Sequence, residues 1–178
     1  MVKVFISSII RGFKQFREAA RDAVVEAGMQ PVMVEDPELF PAQSMSPQTV
    51  CLRSINDSDV FILILGQCYG GRTESGLSAV EEEHWHARLN EKEIKVFVHS
   101  VDKEPEQEEF LTRISRWESG HFRNPFDSPK DLKSKILQAL YEIPKGQEKK
   151  MRTPLNEGIH RVLQLPALSR RAWGCHAL

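Results

Sequence analysis

The chain contains 178 residues, the size of one typical domain, and its 24 Lys and Arg side chains nearly balance its 25 Asp and Glu. A formal net charge of -1 gives no electrostatic reason to expect a nucleic acid or an anionic membrane as partner, so we predict neither. Because the longest apolar run, Val60–Leu65, is far too short to cross a bilayer and the first residues resemble a strand rather than a signal peptide, we predict a cytoplasmic protein.

The first third of the chain predicts a strand, a helix and a second strand. Val2–Ser7 is rich in β-branched and aromatic residues, which favour strands. Apolar residues then recur at helical spacing over Phe13–Ala27, and Gly28 can adopt the left-handed turn that closes a helix. Gln30–Glu35 contains a second short apolar run, followed by the Pro- and Ser-bearing stretch Asp36–Met45, which is typical of a loop.

The middle of the chain contains the strongest strand pattern. A helix is predicted from Pro47, because proline fits the first helical position and the preceding serine can cap it. Val60–Leu65 is apolar at every position, which indicates a central parallel strand covered by helices on both faces. The Gly-rich stretch Gly66–Leu77 follows as a loop, and the next helix is predicted over Ala79–Glu91.

The remaining pattern predicts two more strand and helix pairs. Lys95–Val101 is the fourth strand, Glu104–Ser119 a charged helix with an apolar stripe that includes Trp117, and His121–Phe126 a short edge strand. Ser128 then caps the last clear helix.

Five strand and helix pairs of this length imply right-handed crossovers and a parallel sheet with helices on both faces. We therefore predict a flavodoxin-like α/β domain with a five-stranded parallel sheet over residues 1–146. Gln147–Asn156 is polar and has no apolar period, so we interpret residues 147–178 as a linker and C-terminal tail, in which Ile159–Leu165 could form a short helix.

The cysteines and histidines do not indicate a metal or a disulfide framework. Cys51, Cys68 and Cys175 are few, widely separated and odd in number, so we expect reduced thiols. His84 and His86 are two residues apart and would point to different faces of a helix, unlike the i, i+4 pair of a zinc helix. We predict no metal and no resident cofactor.

Polar residues after the first strand indicate an anion site. In an open parallel sheet, ligands bind beyond the carboxyl ends of the strands where strand order reverses. Ser7, Ser8, Arg11 and Gly12 bring two hydroxyls and a guanidinium to the mouth of a helix, where free N–H groups favour a phosphate. Equally, the serines can satisfy only the loop backbone, with Arg11 in solvent.

The loop after the third strand is the second candidate. Gly66 and Gly70 would let a ligand approach the backbone closely, and Tyr69 could stack on a base. The loop has neither the ending of a P-loop nor a GxGxxG fingerprint, so its glycines can equally serve as turn formers.

Three consecutive glutamates follow that loop. Ser78 and Glu81 have the spacing of a capping box, and Glu82 should point to water. Glu83 lies near the stripe that contains Ala87, so it should lean toward the sheet and the loop mouth. Trp85 and Leu89 form a competing apolar edge on the same helix, so the spacing equally allows another orientation. The Glu83 carboxylate is the candidate for chemistry.

Taken together, these motifs resemble the TIR-like N-glycosidase and nucleoside deoxyribosyltransferase superfamily. More narrowly, the chain is similar to a family of domains of unknown function that precede NACHT or other STAND-type NTPases in prokaryotes. The resemblance is carried by seven segments: Val4–Ser8, Gln30–Val32, Glu38–Ala42, Cys51–Leu52, Ser58–Ile62, Gly66 with Tyr69 and Gly70, and Ser75–Glu83 before Ala87.

The resemblance implies a site and several alternative functions. In the superfamily a glutamate four residues before an alanine acts on the anomeric carbon of a nucleoside or of NAD, and Glu83 matches that position. Ser7, Ser8, Arg11, Gly66, Tyr69, Gly70 and Ser78 would bind the rest of the nucleotide.

The expected function is a TIR-like signalling or effector module with NAD or nucleotide N-glycosidase activity. The alternatives are a non-catalytic, self-associating signalling domain coupled to an NTPase partner, and a nucleoside deoxyribosyltransferase. Product analysis with two bases would separate the last of these from a hydrolase.

Overall fold

The computed structural model describes residues 1–34, 45–116 and 120–143, over which a strand followed by a helix occurs five times. This order confirms the predicted fold class. The strands are β1 Lys3–Ser7, β2 Gln30–Val32, β3 Val60–Leu65, β4 Glu93–His99 and β5 Arg123–Phe126. The helices are α1 Lys14–Glu26, α2 Pro47–Asn56, α3 Ala79–Leu89, α4 Pro105–Ile114 and α5 Pro129–Tyr141.

The five strands form one parallel sheet in the order β2-β1-β3-β4-β5. The chain runs from β1 to one edge, returns to β3 in the centre and continues to the other edge. Strand order therefore reverses between β1 and β3. In sheets of this kind the crevice beyond the carboxyl ends of those two strands is where ligands bind.

Helices cover both faces of the sheet and divide the core in two. One cluster of buried side chains packs α1 and α5 on one face, and α1 and α5 also contact each other. The other cluster packs residues of α2, α3 and α4 on the opposite face. The two clusters share β3, whose six apolar residues are all buried, which explains its uninterrupted apolar sequence.

Serine caps begin three of the helices, as the sequence predicts. Ser46, Ser78 and Ser128 each accept a hydrogen bond from the backbone N–H three residues later. Helix α3 ends at Leu89, two residues before the predicted Glu91, which lies outside the helix in a left-handed conformation with φ of 51°.

Several predicted boundaries were wrong by a few residues. β4 begins at Glu93, two residues before the predicted start, because pairing with β3 extends to this charged residue, which the apolar pattern excluded. There Glu93 forms an ion pair of 2.9 Å with Lys95. β2 ends at Val32 and β5 begins at Arg123, so both are shorter than predicted. Helix α4 ends at Ile114, also earlier than expected.

Some predictions fall outside the described residues. These are most of the loop Asp36–Met45, the helical position Trp117, and the linker and tail over 147–178. Among the described helices, none has both the length and the apolar character that crossing a membrane requires.

Candidate functional site

The carboxyl ends of β1 and β3 are adjacent, and α3 begins beside them. Ser7, the last residue of β1, pairs with Leu63 in β3. The loop after β3 then leads through Ser78, the N-cap, into α3. The topology thus brings together the two loops and the helix that the sequence singled out.

Glu83 lies at this junction and contacts the end of β1. The Ser7 hydroxyl donates a hydrogen bond of 2.6 Å to Oε2 of Glu83. Glu83 is half-buried, and Ala87, one turn further along α3, is fully buried. The helix therefore turns Glu83 toward the sheet, as the helical spacing predicts.

A cysteine on α2 also contacts this carboxylate. Burial, followed by the charge of Glu83 and a hydrogen bond to it, raises the pKa of the Cys51 thiol to about 12. The thiol is therefore protonated at neutral pH rather than a reactive thiolate. The sequence predicted a reduced thiol at Cys51 but no proximity to Glu83.

The arginine of this site is Arg17, which the sequence analysis missed. Its side chain is 4% exposed, and Nη1 donates a hydrogen bond of 2.7 Å to the Ser8 hydroxyl. Arg11, the predicted arginine, is exposed. A signal was present: Arg17 lies between Phe13 and Ala20 on the apolar stripe of α1, where a charged residue is unexpected.

Glu81 has a structural environment quite different from that of Glu83. Its carboxylate is 1% exposed and accepts hydrogen bonds from the Tyr69 hydroxyl, the Trp85 indole and the Arg113 guanidinium. Burial by itself would raise the pKa of Glu81, but the bonds from Arg113, Tyr69 and Trp85 lower it below its ordinary value.

The predicted capping box is therefore only half correct. The Ser78 hydroxyl accepts from the Glu81 N–H at 3.2 Å, but the Ser78 N–H donates to the Tyr69 hydroxyl at 3.0 Å instead of to the Glu81 carboxylate. The Glu81 carboxylate instead accepts hydrogen bonds from Tyr69 and Arg113, away from the start of the helix. Ser78 is buried, and its hydroxyl caps the helix through the bond from the Glu81 N–H.

The structure does not support the predicted stacking role of Tyr69. The side chain is 4% exposed, its ring lies edge-on to Phe110 and the Arg72 guanidinium lies over it. No face of the ring is open to a base in this conformation. Because tyrosine is amphipathic, a buried ring whose hydroxyl has two partners is a stable core element.

The two glycines of the same loop differ. Gly66 is buried, and a Cβ atom there would collide with the Phe13 ring, so this glycine permits close packing of the loop on α1. Gly70 is exposed with φ of 89°, a conformation that side chains rarely adopt. Gly70 lies next to Ile9, which belongs to the loop after β1.

Glu82 does not simply point to water, contrary to the prediction. The Ser75 hydroxyl donates to it at 2.5 Å, the Gln48 amide at 2.9 Å, and the Thr73 hydroxyl is a third donor. These contacts join the loop after β3 to α2 and α3. Glu82 therefore fixes the loop from its outer side.

A narrow crevice lies at the carboxyl end of β3 and has no room for a ligand in this conformation. Val80, about one helical turn before Glu83, lines it from α3, and Ile9 lines it from the loop after β1. The lining is completed by Ile64, Leu65, Gly66, Cys68, Tyr69 and Gln107.

The histidines of α3 are buried but do not form part of a metal cluster. His86 bonds to the Asn56 side chain at 2.8 Å, whereas both ring nitrogens of His84 have no hydrogen-bond partner. Within the described ranges, no group of three or more His, Cys, Asp or Glu side chains is arranged to hold a metal ion.

Comparison with known proteins identifies the fold and a family. Residues 3–141 match the family described as a domain of unknown function, DUF4062. A solved structure of the CMP N-glycosidase BcmB from Clostridium botulinum has a TM-score of 0.50 and 18% sequence identity, over 78% of this chain and 98% of that chain. At this identity the likeness establishes a shared fold. Among proteins of curated function, none matches the chain.

Proposed function

The chain belongs to the DUF4062 family of domains of unknown function, and from the geometry of its site we propose that it is a nucleotide N-glycosidase. The observation that carries the proposal is the hydrogen bond of 2.6 Å between Ser7 and Glu83, which holds a carboxylate at the strand-order reversal of the sheet. A fold shared with a CMP N-glycosidase supports it.

The chemistry suits a carboxylate at this position. When the bond between the anomeric carbon and the base nitrogen breaks, positive charge develops on the sugar ring. Glu83 would stabilise this charge or form a covalent bond to the anomeric carbon, and water would then release the sugar. The overall reaction consumes one water and yields the free base together with the sugar phosphate from a nucleoside monophosphate, or nicotinamide and ADP-ribose with release of a proton from NAD.

Ser7 would act on Glu83 rather than on the substrate. Its hydrogen bond restricts the rotation of the carboxylate and so keeps one oxygen directed away from β1. The base would bind beyond the carboxyl ends of β1 and β3, where the strand order reverses. Ser8, Arg11 and Gly70 remain the proposed contacts for the phosphate, because they belong to the loops after β1 and β3.

Substrate identity is the finer part of the proposal. We propose a nucleoside monophosphate or NAD as substrate. With a second base in place of water, the same carboxylate would instead transfer the sugar, as in a nucleoside deoxyribosyltransferase. Self-association and a STAND-type NTPase partner are further proposals that follow from the family resemblance.

One observation favours a non-catalytic alternative. Ser7 donates to Glu83 within the fold, and the charge of Glu83 acts on the Cys51 thiol, so the carboxylate would also suit a purely structural role that joins β1, α2 and α3. Under this alternative the domain binds a nucleotide or a partner without cleaving anything.

The test is release of free base. Purified protein is incubated at low and high concentration with CMP, other nucleoside monophosphates, deoxynucleosides and NAD, and products are separated by chromatography. Release by the wild type, and none by Glu83→Gln, supports a glycosidase. A second free base in the mixture detects transfer. No release from any substrate at either concentration favours the non-catalytic alternative.

A further inference from the structure

Arg17 is a charged side chain inside the core. It is 4% exposed, and the other buried residues of α1 are Ala20, Ala23 and Val24. A buried guanidinium is costly in free energy unless hydrogen bonds and an opposite charge compensate it. Part of this compensation comes from hydrogen bonds to Ser8 and Ile6, at the end of β1.

Arg17 donates hydrogen bonds to the residues on either side of Ser7. Nη1 donates to the Ser8 hydroxyl at 2.7 Å and to the Ser8 carbonyl at 3.4 Å, and Nη2 donates to the Ile6 carbonyl at 3.5 Å. Between Ile6 and Ser8, Ser7 donates to Glu83. The guanidinium thus holds the backbone that presents Ser7 to the carboxylate.

The positive charge of Arg17 also extends to the surroundings of Glu83. Burial raises the pKa of the Cys51 thiol most, the charge of Glu83 raises it further, and the charge of Arg17 lowers it. Both charges therefore act on one thiol of α2. A positive charge near a carboxylate favours its ionised form.

We propose that Arg17 is a positioning residue for Glu83: it fixes the end of β1 so that Ser7 meets the carboxylate, and its positive charge acts on that carboxylate. The inference rests on the proposed function for its kinetic consequence, because only an ionised carboxylate can stabilise a developing sugar cation. The geometric part concerns the fold and can be measured without any substrate.

Two variants separate charge from shape. Arg17→Gln keeps an amide donor for Ser8 but removes the charge, and Arg17→Lys keeps the charge but loses the planar fork. The matched control is Arg113→Gln, which removes a guanidinium from Glu81, the other buried carboxylate of α3. Circular dichroism and thermal unfolding establish that each variant folds.

The kinetic test is the pH dependence of kcat. We expect the acid limb of Arg17→Gln to move to higher pH by about one unit or more, and that of Arg17→Lys to stay close to wild type. Arg113→Gln should leave the limb in place. An unmoved limb in folded Arg17→Gln would overturn the proposal.

A second readout does not need activity. Carboxyl carbons of labelled glutamate are followed by NMR against pH, with Glu83→Gln used to assign the signal. A higher titration midpoint for Glu83 in Arg17→Gln than in wild type supports the proposal even if no substrate is cleaved, and an equal midpoint overturns it.

If Arg17→Gln does not fold, two variants that retain the positive charge, Arg17→Lys and Ser8→Ala, test the positioning role. We expect each to change the chemical shift of the Glu83 carboxyl carbon without moving its titration midpoint. An unchanged chemical shift overturns the positioning role.

Discussion

The hydroxyl of Ser7 donates a hydrogen bond of 2.6 Å to the carboxylate of Glu83, although 76 residues separate the two in the chain. The contact exists because β1 and β3 are neighbours in the sheet and α3 begins directly after the loop that follows β3. It joins the first strand to the helix that carries the candidate catalytic residue.

Ser7→Ala tests whether this bond matters for the reaction. Without the donor the carboxylate can rotate, so we expect kcat for base release to fall roughly 10- to 100-fold, with a smaller change in KM. Ser115→Ala is the matched control, since Ser115 donates only to the Leu111 carbonyl of its own helix. Equal kcat values for Ser7→Ala and the control would show that Ser7 has no role in the reaction.

Tyr69→Phe tests the structural role of the tyrosine. The variant keeps the ring but deprives buried Glu81 of a donor and the Ser78 N–H of its acceptor. We expect the free energy of unfolding to fall by about 1–3 kcal/mol, measured by urea denaturation. Unchanged stability together with a large rise in KM would instead restore the predicted ligand-binding role.

The sequence predicted the fold more completely than the site. Alternating strand and helix patterns identified all ten elements, because each pattern depends on neighbouring residues. The position of Glu83 followed from helical spacing combined with the topology rule for parallel sheets. Boundary errors arose where strand pairing extends beyond apolar residues, as at Glu93 in β4.

The missed parts of the site depend on long-range contacts. Arg17 and Cys51 come from two helices far apart in sequence, and only tertiary packing brings them to β1 and Glu83. The burial of Tyr69 was not predicted for a similar reason. A tyrosine in a Gly-rich loop gives no local sign that its ring will be buried against Phe110 and its hydroxyl bonded to Glu81.

Gly66→Ala tests the close packing of the loop against α1. The added methyl group would collide with the Phe13 ring, so we expect a loss of about 1–3 kcal/mol in the free energy of unfolding. In a Phe13→Ala background the same substitution should cost much less, because the ring is absent. Equal costs in both backgrounds would show that the loop simply moves away.

The stability of the fold should fall in acid because of His84. The ring is fully buried, and burial, with the charges of His121 and Arg88, lowers its pKa to about 3, although Glu81 opposes this shift. Burial and Arg88 also lower the pKa of His121, against Glu93. The unfolded chain therefore binds more protons below pH 6.5, so stability decreases as pH falls from 6.5 toward 3.

The matched variant for this pH dependence is His84→Leu, which cannot titrate. Relative to pH 7, we expect wild type to lose about 3 kcal/mol more than the variant at pH 4 in urea denaturation. Parallel pH curves for the two proteins would show that another group causes the acid sensitivity.

The most direct test of the account compares the three consecutive glutamates of α3. Glu81→Gln, Glu82→Gln and Glu83→Gln are assayed for base release beside wild type, and the stability of each is measured. We predict that Glu83→Gln stays folded and loses at least about 1,000-fold in kcat, that Glu81→Gln mainly loses stability, and that Glu82→Gln stays active. Full activity in a folded Glu83→Gln variant would contradict the assignment of Glu83 as the catalytic carboxylate.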